Sequence, residues 1–172
     1  MTPGQRLRRL ANLLNGSTLL GLLLARLAGT TTVSGPRGLA IATGYTWKLP
    51  LAGAFTVGNV VIFRAGPEAA LGNPALLGHE ERHSTQYACL GLPFLVLYFA
   101  AAGWSLLRHG DPASGNPFER HAGLEAGGYP GSAGEAARSR RIAGRRFGKF
   151  PRRRSGRHPG RGRTTRNTDG GP

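Results

Sequence analysis

Cysteine is nearly absent from this chain, and the one present, Cys89, permits no internal disulfide and no cysteine-held iron–sulfur cluster. It stands in apolar surroundings and is expected to be a buried packing residue rather than a nucleophile. Acidic residues are also scarce, eight against 23 Lys and Arg, for a formal net charge of +15. The excess sits at one end: residues 138–172 hold 13 Lys and Arg and one acidic residue, Asp169, whereas residues 1–137 hold ten basic and seven acidic groups. That C-terminal stretch has almost no large apolar side chains. It cannot bury enough surface to offset its ordering entropy, so disorder is expected from about Gly128 onward. No nucleic-acid-binding motif accompanies the charges, which argues against sequence-specific recognition and leaves non-specific contact with nucleic acid or anionic lipid.

The N-terminus lacks a clean signal-peptide cleavage site. Arg6, Arg8 and Arg9 precede an apolar run from Leu19 to Ala25, but Asn15-Gly-Ser-Thr18 interrupts it and Arg26 closes it. Residues 1–29 are therefore expected to form an amphipathic helix on the core or on a membrane surface, with its arginines in water or near lipid phosphates, in a cytoplasmic or membrane-associated protein. Residues 30–129 then form one small domain, and residues 130–172 the tail.

What the chain does contain is His79-Glu80-Glu81-Arg82-His83. Positions i and i+4 share one helical face, so His79 and His83 can offer two imidazole nitrogens to one Zn²⁺ while Glu80 holds a water beside it. Asn73-Pro74 predicts the helix start, and Gly91 and Pro93 its end, giving a helix over about 74–89. A catalytic zinc site generally has three protein ligands, and Glu119 is the best third: it follows a second Asn-Pro start, Asn116-Pro117. His121 is offset by two residues, and Glu125 precedes Gly127-Gly128 near the probable end of that element. Gln86, three residues after His83, can orient a ligand or cap a backbone group.

Between the two Asn-Pro starts, Leu90–Leu107 runs for eighteen residues without a charge. A single membrane span here would separate His79 and His83 from Glu119. A turn at Gly91-Leu92-Pro93 would instead fold the segment back along the motif helix as a buried αα-hairpin; a membrane-embedded or interfacial helix is the alternative. Upstream, alternation over residues 39–49 and the β-branched and aromatic character of 54–64 predict two strands of a small antiparallel sheet, with a third at Thr30–Ser34. The expected fold class is thus α+β, and a strand edge beside the metal helix would suit an extended peptide.

Ala54-Phe-Thr-Val-Gly-Asn-Val-Val-Ile62 followed by Leu76-Leu-Gly-His-Glu-Glu-Arg-His-Ser-Thr-Gln86 resembles the H-E-x-x-H-x-x-Q metallopeptidase domain associated with extracellular contractile injection systems, and short uncharacterised actinobacterial proteins of the same layout. The resemblance covers roughly residues 39–129. It implies a zincin-like fold, His79 and His83 as ligands and Glu80 as base. Glu81 and Arg82 depart from it, standing where such helices commonly carry apolar or small residues, as does Tyr87 in place of a second Gln. A peptide or protein would be the substrate, hydrolysed by a water that Zn²⁺ acidifies and Glu80 deprotonates. Tyr87, His121 and Tyr129 are possible oxyanion donors, each with a packing role as the simpler alternative. The rival expectation is a non-catalytic, membrane-associated or assembly module keeping a structural or vestigial metal site.

Overall fold

The computed structural model describes residues 1–129; the expected disordered tail and its contacts with nucleic acid or lipid lie outside the described residues. The elements are helices α1 (Pro3–Leu14) and α2 (Ser17–Leu27), strands β1 (Thr31–Ser34), β2 (Ala40–Thr43), β3 (Ala54–Val57) and β4 (Val60–Phe63), then helices α3 (Pro67–Leu71), α4 (Pro74–Leu90), α5 (Pro93–His109) and α6 (Pro117–Ala122). The fold is mixed α+β, as expected from the two periodicities.

The sheet differs from the expected antiparallel one. Its order is β1-β2-β4-β3, with β1–β2 and β3–β4 antiparallel but β2–β4 parallel. The reason lies at Gly58-Asn59, which cuts the expected strand 54–64 into a two-residue hairpin. Gly58 has φ 62°, and a Cβ there would come 2.3 Å from the carbonyl carbon of Ser17, so glycine is required both for the turn and for the close approach of α2. β3 therefore takes the edge, and β4 returns to the centre beside β2. Every residue of β4 is buried, which is what a continuous Val-Val-Ile-Phe run suits: a central strand covered on both faces. The other expected strand, 39–49, ends at Thr43 because Gly44 adopts φ 85°. The loop beyond it is held by Arg64, which donates to the carbonyls of Ala52 (3.0 Å), Lys48 (3.2 Å) and Pro50.

Helices cover both faces. Ala25 and Ala28 pack with Ala42, Tyr45, Val60 and Ile62 on one side, while Ala70 and Leu77 pack with Leu39, Ile41, Val61 and Phe63 on the other. Each fully buried Ile or Val contributes on the order of 1.5–3 kcal/mol, so this small sheet gives α4 a firm base.

The N-terminal segment is two helices, bent by 75°, because Gly16 at φ 79° ends the first. Its arginines are not all in water, as the sequence suggested. Arg8 is buried: it pairs with Glu81 and donates to Asn59 Oδ1 (3.3 Å) and to the Arg37 carbonyl (2.6 Å). Asn12 donates to the carbonyl and hydroxyl of Ser84 (2.9 and 3.1 Å), and Asn15 to the carbonyl of Tyr87 (2.9 Å). Two polar side chains on α1 and a third at its C-terminal cap, Asn15, thus fix the position of α4.

Both Asn-Pro helix starts form as expected: Asn73 accepts from the Leu76 amide (3.0 Å) and Asn116 from that of Phe118 (3.0 Å). The chain also turns back at Gly91-Leu92. Phe94 packs on Tyr87 and Tyr98 on His83, so α5 runs antiparallel along α4. The expected burial of this helix does not follow, since only Phe94 and Ser105 are buried in α5. Cys89 is exposed as well, because it shares the outer face of α4 with Arg82 and Thr85.

Candidate metal centre

The inner face of α4 carries the motif. His79, Glu80, His83 and Gln86 are all buried, at 3, 3, 6 and 8 % exposure. Buried polar groups are tolerated only when paired, and most of these pairings can be traced. Nδ1 of His79 lies 3.0 Å from the Gly123 carbonyl, and Nδ1 of His83 lies 2.8 Å from Oε1 of Gln86. Gln86 in turn donates from Nε2 to the Phe118 carbonyl at 3.0 Å, which fixes its Oε1 as an acceptor. Both contacts on the imidazoles are therefore with acceptors, so each neutral ring carries its proton on Nδ1 and leaves Nε2 as a bare lone pair.

The two Nε2 atoms face each other at 3.0 Å. Glu119, 3 % exposed on α6, sets its carboxylate against them: Oε2 is 3.3 Å from Nε2 of His79, and Oε1 is 3.5 Å from Nε2 of His83. Oε2 has no hydrogen-bond donor. Lone pairs and a carboxylate converging in a buried space repel one another unless a positive charge lies among them. A tetrahedral Zn²⁺ with bonds of about 2.0–2.1 Å places its ligand atoms roughly 3.3 Å apart, close to the observed spacings. His79, His83 and Glu119 are clustered closely enough to hold a metal ion, and both the orphaned oxygen and the donor set are compatible with one.

Electrostatics point the same way. Burial opposes ionisation of Glu119, but in the metal-free centre hydrogen bonds from His79 and His83 in their protonated forms, with the charge of His83, outweigh it and hold its carboxyl well below the usual range. For His79, burial disfavours the charged ring, yet Glu119 and the nearby charge of Glu80 raise its pKa above 6.5. A cation is favoured here, whether a proton or a metal.

Glu80 is oriented by β3: the Thr56 hydroxyl donates to its Oε2 at 2.7 Å. Burial raises its pKa above the ordinary carboxylate value, and this outweighs the charge of His83 and the Thr56 hydrogen bond. Tyr98, on α5, donates to Oε1 of Glu119. Neither Thr56 nor Tyr98 was singled out by sequence; Thr56 lay within the A-x-T-x-G strand, and Tyr98 stood out only as a hydroxyl in an apolar run.

The three tyrosine and histidine candidates for oxyanion donor separate. Tyr87 is buried against Phe94 at 4.5 Å between ring centroids, as a packing residue. His121 contacts Gln86 through Nδ1 at 3.2 Å. Tyr129 is half-buried, its hydroxyl pKa raised first by burial and then by the charges of Glu119 and Glu80. It ends a tight loop in which Gly127 lies against the His79 ring so closely that a Cβ would approach Cε1 to 2.6 Å. Glu125 is exposed and joins none of these contacts.

The charged residues inside the motif tie the helix down. Glu81 pairs with Arg8 and with Arg37 (2.9 Å), and Arg82 donates to the Ala122 carbonyl at the end of α6. Comparison of the chain with family models, curated proteins and solved structures gives no match. The chemistry of the centre therefore rests on its own geometry.

Proposed function

We propose that this chain is a zinc-dependent hydrolase with a zincin-like metal centre, acting on peptide bonds. One observation carries the proposal: the Nε2 atoms of two buried imidazoles whose Nδ1 atoms face acceptors, and a buried carboxylate oxygen without a donor, converge at 3.0–3.5 Å, one helical residue from a carboxylate with a raised pKa. His79, His83 and Glu119 would hold the ion, which when bound supplies Lewis acidity to a carbonyl and lowers the pKa of a water to about 7.

The chain's own groups do the rest. Glu80 takes the water's proton and returns it to the leaving amine nitrogen; a carboxylate with a raised pKa serves both steps near neutral pH. Thr56 holds the carboxylate through a hydrogen bond from its hydroxyl. Gln86 and the Gly123 carbonyl fix the tautomers of the two histidines, and Tyr98 holds Glu119 in place.

The closeness of Gly127 to His79 favours a second reading, a closed structural site in a non-catalytic module. Metal content and peptide turnover of the full chain separate the two. Stoichiometric zinc that is lost in His83→Ala, with turnover abolished in Glu80→Gln while zinc is retained, is the result expected of a hydrolase. Zinc without turnover in wild type would leave the structural site, and wild type without metal would overturn both.

A further inference from the structure

Helices α1, α2 and α5 together carry no Asp or Glu. Arg8 is buried against Glu81; the remaining arginines, Arg6, Arg9, Arg26 and Arg108, are exposed. The same helices expose most of their apolar side chains, with Val96 72 %, Phe99 61 % and Leu107 85 % exposed on α5, and Leu14 77 % and Leu23 53 % at and beyond the α1–α2 bend. Two contacts make these faces neighbours. Leu24 of α2 and Leu95 of α5 pack on one cluster around Val57 and Phe94, and Gly91 at the α4–α5 turn abuts Asn15 at the α1–α2 bend. Contiguous apolar surface on this scale is uncommon unless something covers it.

We infer that this face docks on the surface of a bilayer containing anionic lipid. The exposed side chains of these helices are aliphatic and aromatic, and the only exposed charged side chains on them are arginine and histidine, which matches acyl chains below and lipid phosphates beside them. At the far end of α5, the Arg108 guanidinium lies over the exposed Trp104 ring at 5.0 Å, an aromatic and a cation paired as they are at headgroup depth. Docking is peripheral. No single helix among the described residues is long and apolar enough to cross a membrane. The α1–α2 pair has the length and composition, but Arg8, Asn12 and Asn15 hold α1 on α4. A second copy would bring arginine rims together, and residues 130–172 offer hardly any large apolar side chains to cover the face.

The full chain with Trp47→Phe leaves Trp104 as the only tryptophan and allows a direct test. With phosphatidylcholine vesicles containing about one-third phosphatidylglycerol, Trp104 emission shifts to the blue and is quenched by brominated acyl chains. Val96→Asp with Phe99→Asp weakens partitioning by roughly tenfold or more, and Leu107→Asp alone weakens it in the same direction; unchanged melting curves show that these exposed positions leave the fold intact. Some binding persists at about 1 M salt, where the Debye length is about 3 Å. Vesicle binding that leaves Trp104 emission unshifted and ignores these substitutions would assign the contact to the basic C-terminal stretch and overturn the proposal. A lipid-free dimer dissolved by the same substitutions would assign the face to a second copy instead.

Discussion

Helices α4 and α5 are the same length, both begin at proline, and are joined by two residues, yet they reverse the usual relation between polarity and burial. α4 buries two histidines, a glutamate, a serine and a glutamine, whereas α5, the more apolar by far, buries one phenylalanine and one serine. Burial follows partners rather than polarity alone. Most polar groups on the inner face of α4 meet a specific acceptor or donor from α1, β3, α6 or α4 itself, so much of their desolvation is compensated. The outer face of α5 meets nothing among the described residues.

That contrast can be broken or sharpened by experiment. The largest effect is expected at the metal centre: chelating the zinc-loaded protein should remove about 2.7 kcal/mol of stability if free zinc stood at a hundredfold over its dissociation constant, read as a fall in melting temperature that His83→Ala no longer shows. Next, Asn12→Leu strips the donors from Ser84 and should destabilise the fold by about 1–3 kcal/mol in urea, although it makes α1 more apolar.

A third effect is a pH dependence. In the metal-free protein His79 has a raised pKa, so below that value zinc must displace a proton. Affinity should then fall about tenfold per pH unit on acidification and level off above it, as competition titrations would show; a flat profile would mean the ring is never protonated. Smallest of all, Leu107→Lys on α5 should change solution stability by no more than about 0.5 kcal/mol, despite removing a large apolar side chain from the most apolar helix. A cost above 1 kcal/mol there would end the comparison.

Features set by neighbouring residues were legible in the sequence. The Asn73-Pro74 and Asn116-Pro117 starts, the turn at Gly91 and the i,i+4 histidines need only local stereochemistry. Glu119 was found by pairing two such local signals, and the structure brings it to the histidines. Partners distant along the chain were not legible. Thr56 reaches Glu80, Tyr98 reaches Glu119 and Arg8 reaches Glu81 only once the sheet and helices have packed. The parallel β2–β4 pairing was hidden for the same kind of reason: periodicity gives a strand's faces but not its neighbour. Cys89 was misplaced because apolar neighbours in sequence do not decide which side of a helix a residue occupies.

The ladder from Arg8, Asn12 and Asn15 to Glu81, Ser84 and Tyr87 also bears on the order in which the protein is made. During synthesis α1 leaves the ribosome long before α4, and until α4 follows the donors of Asn12 and Asn15 that reach Ser84 and Tyr87 have only water to bind there. When α4 arrives, its histidines are turned inward by a helix that contributes no ligand. Glu119 emerges last of the three clustered side chains, so the proposed centre could enclose an ion only after the brace is already built.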